Sequence, residues 1–389
     1  MKKVLVLNAG SSSLKFQLFF NEDSVASGLV EQIGESNSRA KIKFDGKELE
    51  HLGGINNHED GLKVVRDLFA KSGLLTDFSE LAAVGHRVVH GGDKFIKATL
   101  VDDNCLKTLD ELVKLAPLHN PANISGIKTI ISLAPSVKNV AVFDTAFHQT
   151  MPEIAYRYAI ANKYYEEDGV RRYGFHGTSH EYVTREAEKF LGVQNIDAIT
   201  AHLGNGASIS AIKGGKCVDT SMGLTPLEGL MMGTRCGDID AGALFYLAYN
   251  KGLSVAELDK ICNKQSGLLG ICGANDMREI EENMQNGDEK AKLAFDMFCY
   301  RIAKYIGSYL AVTPAKALIF TAGIGENDDL MRAAVCKQLA HLGFSIDEEK
   351  NAKREKVARN IAKADSKYPI LVIPTNEELS IAKQTLALI

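Results

Sequence analysis

The chain has 389 residues, of which 45% are hydrophobic and 24% charged, and its formal net charge is -4. This length exceeds what one hydrophobic core usually organises, so two domains are expected. The small negative charge, without a long basic run, argues against nucleic acid or an anionic membrane surface as a partner. The seven cysteines are scattered and form no C-x-x-C pair, so they predict neither a disulfide framework nor a zinc site.

Short apolar runs recur along the chain, each followed by a glycine-rich or polar turn. The first, Val4–Leu7, is too short for the core of a signal peptide and predicts a buried strand. No apolar run approaches the ~20 residues that span a bilayer, so a soluble, cytoplasmic protein is expected. The other runs that predict strands are Ala82–Val84, Val140–Phe143, Ile196–Ala201, Ala317–Phe320 and Ile370–Ile373. Helical periodicity between them is clearest over 289–311, and the alternation predicts an α/β architecture.

Three turns have the composition of a phosphate-binding loop. The segments 8–13 and 202–208 lie about one domain apart, and each joins two predicted strands through Asn, Gly and Ser. A third glycine-rich turn is predicted at 323–327. Such turns can present backbone N–H groups to phosphate, although each also fits an ordinary hairpin. Either the fold is duplicated, with nucleotide in the cleft between its halves, or the likeness is chance similarity of turns.

The known nucleotide fingerprints are absent. The sequence has neither G-x-x-x-x-G-K-[ST] nor G-x-G-x-x-G, which excludes a P-loop ATPase and a dinucleotide enzyme of the usual type. Lys15 is close enough to the first turn to reach a phosphate, and a lysine on a strand surface is the alternative.

Two segments of the first half carry charge next to predicted strands. In Gly85–Gly92, strand alternation puts Arg87 and Val89 on one face. The Arg87 guanidinium can bind a carboxylate or phosphate through two hydrogen bonds, and Val89 offers an apolar surface beside it. Asp144 directly follows an apolar strand, where ligands bind in α/β sheets. Its alternative role is to cap a following helix.

The second half adds candidates in loops. His176 and His180 have i, i+4 spacing, but Gly177 stands where zinc proteases carry glutamate, so His176 is predicted to be a hydrogen-bond donor in a loop. Arg235 lies in a glycine-flanked loop, for which simple exposure is the alternative. Thr375 with Glu378 fits a capping box, which leaves Glu377 available for a ligand or metal.

These segments form nine motifs in a fixed order along the whole chain. They are N-x-G-S-S-S-x-K, G-H-R-x-V-H-G-G, D-T-A-F-H, Y-G-F-H-G-T-S-H, H-L-G-N-G-x-S, G-T-R-x-G-D-x-D, N-D-x-R, G-I-G-E-N and T-N-E-E. In this set the chain resembles the acetokinase family of the acetate and sugar kinase, Hsc70 and actin superfamily. One departure is Cys236, which stands where serine is usual.

The resemblance implies a duplicated actin-like (RNase H-like) ATPase fold with two domains around a nucleotide cleft. Residues 1–150 with 375–389 would form the first domain and 151–374 the second. The implied activity is reversible ATP-dependent phosphorylation of acetate to acetyl phosphate, by a homodimer that uses Mg²⁺ or Mn²⁺. Because a carboxylate acceptor is already ionised at neutral pH, no general base is needed, and direct in-line transfer is favoured over a phospho-enzyme on Glu377.

The resemblance also assigns roles to positions of this sequence. Asn8 and Glu377 would hold the metal, and Asp144, His176 and Arg235 would surround the moving phosphoryl group. The acetate-binding set is Arg87, Val89, Leu118, Phe175 and Pro226. The ATP-binding set is Lys15, His202, Leu203, Gly204, Asn205, Gly206, Asp276, Met277, Arg278, Gly323, Ile324, Gly325, Glu326 and Asn327. The alternatives are a propionate or butyrate kinase and a non-enzymatic, actin-like nucleotide switch.

Overall fold

The computed structural model describes residues 1–117 and 119–389. Contacts divide it into unit 1, Met1–Ala146 with Asn376–Ile389, and unit 2, Phe147–Thr375. The boundaries expected from the sequence are at 150 and 374. Among the described residues, no helix combines the length and the apolar character needed to cross a membrane.

Unit 1 contains the first eight strands and unit 2 the last six. The strands of unit 1 are β1 (Lys3–Ala9), β2 (Leu14–Phe20), β3 (Asp23–Glu31), β4 (Arg39–Phe44), β5 (Lys47–Leu52), β6 (Ala83–Val88), β7 (Thr99–Leu100) and β8 (Lys138–Phe143). Those of unit 2 are β9 (Ala198–Leu203), β10 (Ala207–Lys213), β11 (Lys216–Thr220), β12 (Leu318–Thr321), β13 (Arg359–Asn360) and β14 (Ile370–Val372). Every run predicted as a strand overlaps one of them.

Fifteen α-helices occur in the described part of the chain. They are α1 (His58–Ser72), α2 (Asp103–Glu111), α3 (Asn120–Leu133), α4 (Glu153–Tyr156), α5 (Lys163–Glu166), α6 (Gly177–Leu191), α7 (Ala241–Lys251), α8 (Val255–Lys264), α9 (Gly267–Cys272), α10 (Met277–Gln285), α11 (Glu289–Val312), α12 (Ala322–Asn327), α13 (Asp329–Gln338), α14 (Glu348–Ala352) and α15 (Glu377–Leu386). The helix predicted over 289–311 is α11, whose buried residues form one stripe against the sheet of unit 2.

The two units repeat the same strand order. In unit 1, β3-β2-β1 are antiparallel neighbours and β1 continues into parallel β6 and β8. In unit 2, β11-β10-β9 are antiparallel and β9 continues into parallel β12 and β14. The turn after β1 and the turn after β9, whose sequences resemble each other, therefore occupy equivalent places. This confirms the α/β prediction and its duplicated form.

The last helix completes the core of unit 1. Helix α15 packs on β1 and β6, where Ile381 and Ala382 join a buried cluster with Val4 and Val6. A Cβ on Gly85 would lie 2.4 Å from Thr385 Oγ1. The approach of this helix to the sheet therefore requires glycine, and it brings the first turn of α15 to the carboxyl end of β6.

Two local predictions are wrong. The segment 323–327 is not a turn but the helix α12, in which the Glu326 side chain accepts a hydrogen bond from Ala322 N at 2.8 Å. His176 lies in a loop, as predicted, and is the last residue before α6 begins at Gly177. The cap of α15 is Asn376, whose side chain accepts from Leu379 N at 3.0 Å, whereas the Thr375 hydroxyl lies 2.8 Å from Ser179 Oγ.

Candidate active site

Unit 1 brings four predicted residues together at the carboxyl edge of its sheet. Asn8 lies next to the end of β1, Arg87 lies near the end of β6, Asp144 follows β8, and Glu377 begins α15. Because β1, β6 and β8 are parallel neighbours, their carboxyl ends meet at one edge. Arg87 Nε donates to Asp144 Oδ1 at 3.1 Å, its Nη2 to Oδ2 at 2.5 Å, and its Nη1 to Asn8 Oδ1 at 3.3 Å. Glu377 Oε2 lies 4.0 Å from Arg87 Nε.

The two-point ion pair fixes the Arg87 guanidinium. Asp144 is 1% exposed, so its carboxylate is almost wholly removed from water and compensated by Arg87. Burial alone lowers the pKa of Arg87, but the charges of Asp144 and Glu377 outweigh it and raise that pKa above its usual value. Arg87 therefore stays charged, and Asp144 is engaged in orienting it.

The donor set of this edge fits a divalent cation. Asn8 offers an amide oxygen and Glu377 a carboxylate, which are the oxygen ligands that Mg²⁺ prefers. Burial raises the pKa of Glu377, and the neighbouring Glu378 raises it further. A cation bound here would compensate both effects. No group of three or more His, Cys, Asp or Glu residues capable of holding a metal occurs in residues 1–117 and 119–389, so any metal here would need ligands from water or substrate as well.

Three further residues of unit 1 are predicted to bind acetate or ATP. Val89 is 8% exposed, and its backbone N donates to Asn123 Oδ1 at 3.1 Å, which fixes the chain directly after Arg87. Lys15 forms an ion pair with Glu378 and remains about half exposed. Leu118 lies outside the described residues.

Unit 2 brings His176 and Arg235 to a common point beside the turn after β9. A Cβ on Gly206 would lie 3.5 Å from His176 Nε2 and 3.5 Å from Arg235 Nη1. His176 has φ 57° and ψ 22°, a left-handed conformation that costs a non-glycine residue roughly 1–3 kcal/mol. This backbone conformation, directly before α6, places the His176 ring beside Gly206.

The loop that carries Arg235 is held by close backbone approaches. A Cβ on Gly233 would lie 1.7 Å from Asn205 Oδ1, and Gly237 has φ 68°. Arg235 Nη1 donates to Pro226 O at 3.3 Å. Burial lowers the pKa of the Arg235 guanidinium. A half-buried cation of this kind favours an anionic ligand.

Buried histidines and hydroxyl groups support the His176 ring. His176 stacks on His202 with ring centroids 4.1 Å apart, and its Nδ1 lies 2.8 Å from Ser208 Oγ. His202 Nδ1 lies 2.8 Å from Ser179 Oγ. The carbonyl of Phe175 accepts a hydrogen bond from His148 Nε2 at 2.8 Å, which fixes the backbone just before His176.

Cys236, the departure from the family pattern, is partly buried next to Arg235. Its Sγ donates to Gly237 O at 3.2 Å, and burial raises the pKa of the thiol to about 12. The thiol is therefore protonated at neutral pH and acts as a small packing group.

A cavity of about 610 Å³ opens on unit 2. Eight of the predicted ATP-binding residues line it, namely Gly204, Asn205, Asp276, Met277, Arg278, Gly323, Ile324 and Asn327. Its other lining residues, which the sequence reasoning missed, are Asn275, Glu281, Asp328, Asp329 and Arg354. Of the other residues assigned to ATP, Leu203 is fully buried in β9 and Glu326 accepts from Ala322 N and Thr375 N.

Two carboxyl groups face each other in the cavity wall. Glu281 Oε1 and Asp328 Oδ2 are both buried and lack another hydrogen-bond partner in the described structure. Burial, together with the charge and hydrogen bond of Asp328, raises the pKa of Glu281 to about 8. At neutral pH the pair therefore shares a proton, with Glu281 as the donor.

The Glu281→Gln variant should gain stability relative to the parent protein as pH rises. The folded state holds the Glu281 proton more tightly than the unfolded chain, so this contribution to the free energy of unfolding is present at low pH. It is lost as pH rises from about 4.5 to about 8. Glutamine keeps a donor for Asp328 and does not ionise. Melting temperatures at pH 5, 7 and 9 should show a gap in favour of Glu281→Gln that widens with pH.

A control for this measurement is Glu257→Gln. Glu257 caps α8 by accepting from Ser254 N at 2.8 Å, and this bond lowers its pKa. Its stability gap to the parent protein should not change between pH 5 and 9. A Glu281→Gln gap that is equally flat would contradict the shared proton.

Comparison with known proteins agrees with the motifs and the fold. The acetokinase family model matches residues 3–383. An acetate kinase from Campylobacter lari is 57% identical, over 100% of this chain and 99% of that protein. Among solved structures, a propionate kinase from Francisella tularensis is 45% identical with a TM-score of 0.94, covering 99% of both chains. The Porphyromonas gingivalis acetate kinase is 43% identical with a TM-score of 0.95, covering 100% of this chain and 99% of that one.

Proposed function

We propose a mechanism at the level of residues from the premise that the chain belongs to the acetokinase family. Its activity is the ATP-dependent phosphorylation of acetate, in which a divalent metal takes part. The phosphoryl group moves in line from ATP to the acetate carboxylate, without a phospho-enzyme. The observation that carries this proposal is the convergence of His176 Nε2 and Arg235 Nη1 on the space beside Gly206.

The chemistry needs positive charge more than it needs a base. Transfer to a carboxylate brings two anions together, and its loose transition state spreads charge over the equatorial phosphoryl oxygens. Arg235 and His176 supply donors for those oxygens in a partly buried setting, where electrostatic interactions are strong. The acceptor is already ionised at neutral pH. Asp144 therefore orients Arg87, with which it forms two hydrogen bonds, rather than removing a proton.

The nucleotide occupies the cavity of unit 2. Its lining carries Asp276, Asp328, Asp329 and the protonated Glu281, with Arg278 paired to Asp276 and Arg354 as a second cation. Phosphates beside Asp328 and Asp329 would be repelled. The uncharged nucleoside lies there, and the phosphates extend to the backbone of Gly204 and Asn205. That direction leads to Gly206, where His176 and Arg235 converge.

Arg87 binds the acetate carboxylate. Its Nε and Nη2 are engaged by Asp144, whereas its Nη1 makes only a 3.3 Å contact with Asn8 that a ligand can replace. Val89 follows two residues later and is nearly buried, so it offers apolar surface beside the guanidinium. An apolar surface of fixed size discriminates by about 1–3 kcal/mol per methylene.

Acetate should give the highest kcat/KM, with propionate lower and butyrate much lower. We expect Val89→Ala to improve propionate relative to acetate by about tenfold, because it removes apolar bulk where an extra methylene would lie. Acyl phosphate trapped with hydroxylamine measures all three substrates in one assay. Butyrate as the best substrate of the parent protein would refute this role of Val89.

Magnesium is the proposed metal, held by Asn8 and Glu377. When bound, it neutralises charge on the transferring phosphates. Replacing Glu377 with alanine should raise the Mg²⁺ concentration needed for half-maximal rate by roughly tenfold or more, and should lower kcat. A Mg²⁺ titration of acetyl phosphate formation measures both.

The neighbouring residue provides a matched control for the metal experiment. Glu378 lies one position further along α15 and forms an ion pair with Lys15. Glu378→Ala should leave the Mg²⁺ requirement unchanged. If Glu377→Ala behaves in the same way, Glu377 is not a metal ligand.

We further propose that the chain forms a homodimer through unit 2. Helix α7 has no buried residue, and it exposes Phe245, Tyr246 and Tyr249 by 60%, 61% and 86%. On α11, Leu293, Met297 and Tyr300 form a second exposed apolar stripe at helical spacing. Apolar surface of this extent usually marks a protein interface, and sedimentation equilibrium measures the assembly directly.

A further inference from the structure

A chain of buried imidazole and hydroxyl groups ends on the ring of His176. Thr200 Oγ1 lies 2.7 Å from His180 Nδ1, and His180 Nε2 lies 2.8 Å from Ser208 Oγ. Ser208 Oγ in turn lies 2.8 Å from His176 Nδ1. Thr200, His180 and Ser208 are each fully buried, on β9, α6 and β10. Three regular elements therefore fix these distances.

The hydrogens in this chain can be counted. Burial lowers the pKa of His180 well below its usual value, so its ring is neutral and carries one N–H. Each hydroxyl also carries a single hydrogen, and the Ser208 hydroxyl has no hydrogen-bond partner among the described residues besides these two histidines. Its hydrogen is therefore used only if Ser208 donates to one histidine and accepts from the other. The donors therefore all run in one direction along the chain, either toward His176 or away from it.

The two directions place the His176 proton on different nitrogens. If Thr200 donates to His180, then His180 donates to Ser208, Ser208 donates to His176 Nδ1, and neutral His176 carries its proton on Nε2. In the opposite direction His176 carries its proton on Nδ1. The Thr200 hydroxyl must then donate to the Ser210 carbonyl, which is 3.5 Å away.

The hydrogen-bond distances favour the first direction, and so do the phosphoryl oxygens once substrate is bound. A hydrogen bond of 3.5 Å is weak, whereas the first direction uses only distances of 2.7 and 2.8 Å. The Nε2 atom is the one that borders Gly206 and the Arg235 guanidinium. A lone pair at this place would repel phosphoryl oxygens, and an N–H attracts them.

We propose that Thr200, His180 and Ser208 hold the proton of neutral His176 on Nε2, which makes Ser208 a positioning residue for the reaction. This inference rests on the proposed role of His176 as a donor to the phosphoryl group. The backbone conformation of His176 sets where the ring lies, and the hydroxyl chain sets which nitrogen donates.

Nitrogen NMR of the ligand-free protein tests the proton position. In protein labelled with ¹⁵N-histidine, a ring nitrogen that carries a proton and one that accepts a hydrogen bond have well separated shifts. His176 is assigned from the signals that disappear in His176→Gln. We expect a neutral ring at pH 8 with the proton on Nε2. A proton on Nδ1, or on both nitrogens, overturns the proposal.

Two variants and one control connect this signature to turnover. Ser208→Ala should put His176 into exchange between its two neutral forms and lower kcat about tenfold, with both KM values within about twofold. Thr200→Val should act in the same direction, although Thr200 does not touch His176 in the chain described above. Ser210→Ala removes another buried hydroxyl from β10, which lies 2.9 Å from the Thr220 hydroxyl. This control should change neither the ¹⁵N shifts of His176 nor kcat.

The outcomes separate this inference from the proposed function. If Ser208→Ala does not fold, Thr200→Val still decides the matter through the spectrum of His176. Unchanged His176 shifts and unchanged kcat in these variants overturn the positioning role. Because the shifts are read without substrate, they remain interpretable even if acetyl phosphate formation should fail, and that failure would refute the proposed function alone.

Discussion

The Arg235→Ala variant should lower kcat by about 10²–10³-fold, with little change in KM for acetate. Arg235 shares the space beside Gly206 with His176 Nε2, where charge builds up on the phosphoryl oxygens. An interaction that exists only in the transition state lowers kcat and kcat/KM together. Steady-state kinetics with acetate and ATP varied separately measure the effect. A change confined to KM for acetate would make Arg235 a binding residue and refute its proposed role.

Two further variants qualify that result. Arg235→Lys should recover only part of the activity, because lysine keeps the charge and loses the planar fork. Arg301→Ala is the matched control, since Arg301 is a half-buried arginine that donates to Gly229 O at 3.0 Å and to Asp238 O at 3.4 Å in the same region. Its loss should lower the melting temperature with kcat almost unchanged.

Arg87→Ala should behave differently from Arg235→Ala. We expect a raised KM for acetate, because Arg87 binds the ground-state carboxylate. The same change leaves the buried Asp144 carboxylate without its two-point partner, which costs about 3 kcal/mol or more of stability. Melting temperatures must therefore be compared along with kinetics, and Arg87→Lys, which keeps a charge near Asp144, should recover stability more than affinity.

Much of unit 1's site follows from local sequence and sheet topology. Asp144 directly follows the apolar run Val140–Phe143, Arg87 lies three residues past the run Ala82–Val84, and parallel strands bring such ends to one edge. The contact of Arg87 with Asp144 itself is not visible in the sequence. Strand alternation places Arg87 and Val89 on one face. It does not predict whether the Arg87 guanidinium binds a carboxylate of the protein or one of a substrate.

Of the two wrong local predictions, one has a tertiary cause and the other a local one. Thr375 fits a helix cap by sequence, but its hydroxyl lies 2.8 Å from Ser179, and Asn376 caps α15 instead. The glycines at 323 and 325 suggest a turn, yet Glu326 accepts from Ala322 N and closes a short helix. In both places a side chain distant in sequence or a later residue decides between local alternatives of similar energy.

The contact between Glu281 and Asp328 in the cavity wall could not be predicted from the sequence either. Helix α10 contains Glu279, Glu281 and Glu282, and nothing in its sequence distinguishes them. Only Glu281 faces Asp328, the residue that caps α13, and only packing reveals that contact. The Ser208 chain is likewise hidden, because a small polar residue in an apolar strand fits a buried hydrogen bond of any kind.

The turn after β9 offers a direct test of where the phosphoryl group moves, because Gly206→Ala adds one methyl group between His176 and Arg235. Its Cβ would lie no closer than 3.5 Å to any atom outside the two adjacent residues, and Gly206 is not in the left-handed region, so the fold should tolerate alanine. The methyl group nevertheless fills the space assigned to the phosphoryl oxygens.

We therefore expect Gly206→Ala to lower kcat by about 10²-fold or more, with a melting temperature within a few degrees of the parent protein. Gly307→Ala is the control, because its Cβ meets only Leu342 Cδ1 at 3.9 Å in the middle of α11. Alanine there should add about 0.5–1 kcal/mol of stability and leave kcat unchanged. A Gly206→Ala variant that retains a third or more of the parent kcat, measured by acetyl phosphate formation, would place the transfer away from the point where His176 and Arg235 meet, since a methyl group and a phosphoryl oxygen cannot share that space.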